Sequence, residues 1–156
     1  MRVAKKEIND RKVVEGLLAQ CAVGRLGTVG KTGYPMVKPL NYVYHEDRIY
    51  FHSAREGEKI EDLERDGRVC FEVDLPLAFV RGEGSPCKVD YRYQSVICTG
   101  QARLVEEREE KLGALKALME KYQPEGGYGE FSEEKVALTA VIRIDILTMT
   151  GKQDLG

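Results

Sequence analysis

A mainly β domain, six antiparallel strands forming a small barrel with flanking helices, is the fold class this sequence predicts. Three observations predict it. Six runs, at 23–29, 34–44, 48–53, 68–74, 93–105 and 138–146, carry strand-type alternation or β-branched and aromatic residues. Helical periodicity is confined to three segments, near 10–21, 58–66 and 106–122. Short turn signals such as Gly30-Lys31-Thr32-Gly33 join successive strands, so neighbours pair antiparallel. The 156 residues suit one domain, 1–156, burying roughly 68–70% of the surface its unfolded chain exposes.

Taken in order, the chain opens with a helix capped at Asn9 or Asp10, with Val13, Val14, Leu17, Leu18 and Cys21 on the face that packs onto a sheet. Residues 23–29 are the first strand, and the turn at 30–33 leads into the second. That second strand carries Pro35 and Pro39, and proline donates nothing to a ladder, so it belongs at a sheet edge with its backbone partly free. A turn at 45–48 precedes the third strand, where Ile49 and Phe51 alternate with Tyr50 and His52. A small-residue loop at 53–57 then opens a short helix with Ile60 and Leu63 on one face, stopped by Gly67.

The fourth strand is 68–74. Residues 75–93, with Pro76, Gly82, Gly84 and Pro86, read as a long loop of the kind that is usually functional. In the fifth strand Gly100 marks a bulge or a close backbone approach. Leu112, Leu115, Leu118, Met119 and Tyr122 define the buried face of the last helix, with Met119 as core filler. A Gly-rich connection at 124–129 precedes the final strand, where Leu138, Ala140, Ile142, Ile144 and Ile146 line one face and Thr139, Arg143 and Asp145 the other.

A net charge of -2 argues against a polyanion as main partner, whether nucleic acid or an anionic membrane. No apolar run approaches the roughly 18 residues of a membrane span, and the charged segment 1–10 lacks the apolar region of a signal peptide, so a cytoplasmic setting is expected. Cys21, Cys70, Cys87 and Cys98 have no close paired spacing for zinc, which predicts buried free thiols, with only Cys87 placed to react.

The segment 34–63, YPMVKPLNYVYHEDRIYFHSAREGEKIEDL, holds most of the chemistry. Lys59 stands in the first turn of its helix, where the positive end of the dipole disfavours a cation by roughly 0.3–1 kcal/mol. A bound phosphate reverses that penalty, and free helix N–H groups beside a lysine suit one; a solvated surface lysine is the plain alternative. Of the two histidines, His45 reads as a solvated turn residue. His52 is either a satisfied strand histidine or a group that contacts a flavin, donates a proton or ligates a haem iron.

The ordered segments EINDRKVVEGLLAQCAVGRLGTVG, 34–63, Cys87 with YRYQSVICTGQARLV, and IRIDILTMTGK together resemble the flavin-binding split-barrel proteins related to pyridoxamine 5'-phosphate oxidase, in particular the nitroimidazole-resistance type. The resemblance runs from about Arg2 to Lys152. It implies a six-stranded split barrel, a homodimer, and FMN held in clefts at the dimer interface. It places Met36, Val37, Lys38 and Pro39 along the flavin ring with Asn41 close behind. It places His52, Ser53 and Ala54 along the ribityl chain and phosphate, Lys59 on the phosphate, and Ser95 with Val96 on a strand completing the pocket. Lys38 also suits an edge-strand guard, and Asn41 and Ser95 also suit solvent-facing polar positions. The oxidase's substrate-phosphate residues and C-terminal tryptophan have no counterpart in this chain, which contains no Trp, so pyridoxamine phosphate is not the expected substrate.

Two function classes follow. One is an FMN-dependent oxidoreductase reducing a small nitroaromatic or quinone-like acceptor, catalysed through the flavin ring with His52. The other is a non-catalytic protein that stores or senses a flavin (FMN, FAD or a deazaflavin) or haem. No dinucleotide fingerprint is present, so NAD(P)H would be a transient donor. The acidic balance disfavours single-stranded nucleic acid.

Overall fold

A computed structural model describes residues 4–156. Positions 1–3 of the charged opening segment, including Arg2 where the family resemblance starts, lie outside the described residues. In chain order the elements are β1 (Glu7–Ile8), α1 (Arg11–Gln20), β2 (Gly24–Val29), β3 (Pro35–Leu40), β4 (Val43–His45), β5 (Arg48–Ser53), α2 (Glu58–Arg65), β6 (Arg68–Val80), β7 (Asp90–Leu104), α3 (Arg108–Tyr122), α4 (Glu133–Leu138) and β8 (Ala140–Asp154). A 3-10 turn at Pro86–Lys88 lies between β6 and β7.

All strands pair antiparallel in one sheet of order β3-β2-β6-β7-β8-β5-β4, with β1 added to β8. The two ends of this path, β3 and β4, are consecutive in the chain and joined only by Asn41 and Tyr42. The three Cα steps from Leu40 to Val43 span at most about 10 Å, so the sheet must curl until its ends nearly meet. No ladder joins them among the described residues, and the result is a split barrel. Six long strands build it, as expected, and β1 and β4 are short additions.

The interior is filled by Leu26, Ile49, Phe51, Phe71, Val73, Val96, Ile142 and Ile144, with Leu17 and Leu18 of α1 at one side and Ile60 and Leu63 of α2 at another. Each such side chain contributes roughly 1.5–3 kcal/mol on burial. A second cluster packs α3 through Ala114, Ala117 and Leu118 against Val43, Tyr50 and Val141 on the outer face of β4, β5 and β8. β5 is thus buried on both faces until its outer face runs out beneath α3, at His52.

Local rules account for most boundaries. Asp10 caps α1 by accepting from the Lys12 N–H at 2.9 Å. The β2–β3 turn closes with the Gly33 N–H donating to Gly30 O, Gly33 taking φ 86°. Glu46 and Asp47 both take positive φ in the two-residue hairpin β4–β5, the primed turn that matches strand twist. β3, with its two prolines, lies at the sheet edge. Gly100 sits at a register shift against β8, where a Cβ would meet the Asp145 carbonyl oxygen at 2.5 Å.

Five expectations are corrected. Residues 75–93 are not a long loop but the outer half of a β-ribbon, with Phe79 paired to Tyr91 and Val80 to Asp90. Pro76 is tolerated because the ladder shifts register beside it, and the remaining glycines and proline gather in the tip at 81–89. Leu138 belongs to α4 and is exposed, so the last strand starts at Ala140. Val13 lies on the exposed flank of α1. Cys70 is exposed on the outer face of β6 rather than buried, while Cys21 and Cys98 are buried and burial pushes the Cys98 thiol up to about 12. Met119 is half-buried and faces a cavity rather than filling the core.

Candidate functional site

The site grows from the point where β5 ends. Ser53 is the last paired residue, opposite Ala140, and the chain then turns through Ala54 to Gly57. Gly57 is the N-cap of α2 at φ 117°, a conformation reserved for glycine, and it has no side chain to satisfy the helix's first N–H groups. Unpaired amide donors therefore stand at the start of α2.

Two lysines converge beside them. The Lys59 ammonium lies 5.5 Å from the Phe51 ring centroid, and burial, with Lys38 nearby, lowers its pKa. Lys38 of β3 is directly opposite Leu26 of β2 and so shares its inward face, as Met36 shares that of buried Thr28. Its ammonium lies 3.2 Å from the Glu58 carboxylate and 3.6 Å from that of Asp62. It is nevertheless enclosed, and it makes no aligned hydrogen bond among the described residues. Asp62 is 1% exposed and accepts from Thr28 Oγ1 at 3.1 Å and Arg65 Nη2 at 2.7 Å. The Arg65 hydrogen bond holds its carboxyl below the usual range despite burial.

An enclosed ammonium whose carboxylate neighbours are not aligned for hydrogen bonds, a second lysine and an uncapped helix N-terminus make an arrangement suited to an oxygen-rich dianion. The residues present thus fit a flavin phosphate, with Glu58 the group that must yield its place beside Lys38. Val37 and Pro39 point to the opposite, outer side of β3 and are exposed. A ring lying along this strand would therefore meet its free backbone edge and one of its two faces.

Beyond His52 lies a cavity of about 310 Å³ between α3, α4 and the connection joining them. Leu118 and Val136 are its buried floor, Leu115, Met119, Tyr122 and Phe131 its walls, and exposed Asn41 and His52 stand at its rim. The Tyr122 hydroxyl is engaged elsewhere: it accepts from the Tyr42 N–H at 2.9 Å and lies 2.8 Å from the Ala22 carbonyl oxygen.

The structure therefore gathers Lys38 and Lys59 at the mouth of α2, Asn41 and His52 at the cavity rim, and Ser53 and Ala54 between them. Ser95 and Val96 are not brought there within one chain. They lie on β7 opposite Asp74 and Val73, nine residues from Leu104, which is roughly 30 Å along the strand. Val96 is fully buried in the core, so only its backbone is available. His45 is exposed at the hairpin tip, 3.9 Å from Glu46, away from this cluster.

The cavity walls were not distinguished in the sequence. Leu115, Met119 and Tyr122 have the spacing of a core-facing stripe, and periodicity alone does not separate a side chain that meets the core from one that lines a void. Phe131 and Val136 fall between the connection read at 124–129 and the strand read from Leu138, a stretch given no element of its own.

The profile of the pyridoxamine 5'-phosphate oxidase family matches residues 10–153. A search of curated protein sequences gave no match. Among solved structures, the chain is similar to a candidate 5-nitroimidazole antibiotic resistance protein of Bacteroides thetaiotaomicron, 31% identical over 94% of this chain and 86% of that one, with a TM-score of 0.83. An FAD-binding protein of Mesorhizobium loti is 26% identical over 93% and 95%, with a TM-score of 0.66. A flavocytochrome of Azotobacter vinelandii shares the fold, with 23% identity over 100% and 72% and a TM-score of 0.88.

Proposed function

The chain belongs to the pyridoxamine 5'-phosphate oxidase family, and on that premise we propose that it is an FMN-binding oxidoreductase that reduces a small nitroaromatic or quinone-like acceptor. The observation that carries the reading is the enclosed Lys38 ammonium without an aligned partner, beside Lys59 and the uncapped start of α2. Lys38, Lys59 and the α2 amides would hold the phosphate. Ser53 and Ala54 would follow the ribityl chain, and the free edge of β3 with Met36, Val37, Pro39 and Asn41 would meet the ring. When bound, the flavin supplies two-electron transfer between a transient nicotinamide donor and the acceptor. The chain's own part is to neutralise the phosphate, orient the ring and present the His52 imidazole, which would deliver a proton to the reduced acceptor.

A homodimer belongs to this reading. The outer face of β2, β6, β7 and β8 presents Cys70, Ile97, Thr99 and Thr148 with no helix over it among the described residues, and a second copy is proposed as its cover. Ser95, remote from Lys59 in its own chain, would then serve the partner's flavin. Four free cysteines suit a reducing cytoplasm.

Anaerobic stopped-flow mixing of chemically reduced, FMN-loaded protein with a nitroimidazole or a quinone tests the reading. Reoxidation should outpace that of free reduced FMN. His52→Ala should slow it by at least ~10-fold, against the ~10²–10⁴-fold that positioned proton transfer typically contributes, with FMN affinity within a few-fold. Reoxidation no faster than that of free reduced FMN would leave a flavin or haem carrier instead.

A further inference from the structure

We propose that the cavity between α3 and α4 is the binding site for the acceptor itself, and that it takes a flat, tail-less quinone. This rests on the oxidoreductase reading and goes beyond it by assigning the acceptor a place separate from the flavin and a chemical class.

Three features argue for it. The volume, about 310 Å³, stands at the lower end of small-molecule pockets, enough for a fused-ring quinone and too little for a nicotinamide dinucleotide. The floor and walls are apolar and partly aromatic, from Leu115, Leu118, Met119, Phe131 and Val136, so the body of the ligand must be apolar. The rim, by contrast, offers the Asn41 amide and the His52 imidazole, which suit a carbonyl oxygen left at the opening. Both rim residues adjoin the proposed flavin site in sequence: Asn41 follows β3, and His52 precedes Ser53 and Ala54. The cavity thus opens where the ring is expected.

The electron count closes. A quinone seated in the cavity would take a hydride equivalent supplied by bound reduced flavin and a proton through His52 from solvent, becoming the quinol, with the remaining flavin proton passing to solvent.

The test uses FMN-loaded protein with 1,4-naphthoquinone as acceptor and 2-naphthol as a fluorescent, redox-silent probe of binding. Leu115→Trp fills the cavity and should raise the KM for naphthoquinone and the Kd for 2-naphthol by ~10-fold or more, with FMN affinity unchanged. Leu115→Ala enlarges the site and should raise kcat/KM for the bulkier 2-methyl-1,4-naphthoquinone relative to 1,4-naphthoquinone, a change of preference that a merely destabilised fold does not produce. Met119→Phe repeats the filling test should Leu115→Trp fail to fold. Saturable 2-naphthol binding that the filling variants abolish supports the cavity even if the wild type reduces no quinone, in which case the oxidoreductase reading alone fails. Absence of 2-naphthol binding, or binding indifferent to the filling variants, overturns the inference.

Discussion

At the scale of single residues, the account turns on two ammonium groups. Lys59 stood out in the sequence because a lysine in the first turn of a helix opposes the dipole, and the structure places it beside Phe51 and near Lys38. Lys38 was ambiguous between ligand and edge guard. Its inward direction depends on the β2–β3 register, and its neighbours Glu58 and Asp62 arrive only when α2 docks. Lys59→Glu replaces attraction with repulsion at the phosphate. It is expected to weaken FMN binding by roughly 10–100-fold, the value of a charge-assisted hydrogen bond, while riboflavin, which lacks the phosphate, changes within a few-fold. Because Lys59 packs beside Phe51, Lys59→Met serves as the control for lost packing. Equal losses for FMN and riboflavin in parallel titrations would mean that Lys59 acts through the fold.

Among the elements, the strongest joint is made by the C-terminal turn of α3. Lys121 donates to the Cys21 carbonyl oxygen at 2.8 Å, and its ammonium sits 3.7 Å from the centroid of the Tyr42 ring. Tyr42, fully buried in the two-residue crossover, donates its hydroxyl to Leu18 O at 2.6 Å. One turn of helix thus ties the end of α1 to the crossover that shuts the barrel. Burial lowers the Lys121 pKa from 10.5 to about 8. Between those values the unfolded chain binds more protons than the folded one, so stability rises with pH. Above pH 10 the buried Tyr42, whose own pKa is raised, acts in the opposite sense, because the unfolded tyrosine ionises first. From pH 8 to 10 the wild type should gain roughly 1–2 kcal/mol from Lys121 that Lys121→Met does not. Denaturant titrations at the two pH values check this; identical gains in both proteins would contradict it.

Element types were largely legible because Asp10, the turn at 30–33 and the stripe of α3 are local signals. Two elements were not. Half of the β6–β7 ribbon was hidden by Pro76, whose tolerance depends on a register shift that only the partner strand reveals. The six residues of α4 are too few to display a helical period, and Leu138 and Thr139 continue the alternation of β8 by coincidence.

For the whole molecule, the six long strands and their antiparallel pairing followed from turns and alternation, whereas the split of 34–44 into β3 and β4 and the closing of the sheet did not. Closure arises from the linkage of the two sheet edges through Asn41 and Tyr42, a property of the strand order rather than of any local pattern. The same limit explains why the cavity was missed and why Ser95 stands apart from Lys59. Ligand binding should couple to stability at this scale. FMN at about 100 times its Kd adds roughly 2.7 kcal/mol to the folded state, so the melting temperature should rise with added FMN but less with riboflavin. Light scattering should give the mass of a dimer, and a monomer that binds FMN normally would remove the partner-shared part of the reading.

The most direct measurement of the central claim is the visible spectrum of the purified protein, followed by denaturation and chromatography of the released chromophore. The account predicts flavin bands and release of FMN, or, where the protein is isolated colourless, saturable uptake of FMN on titration. A colourless protein that takes up no FMN, or one whose only chromophore is haem, would contradict it.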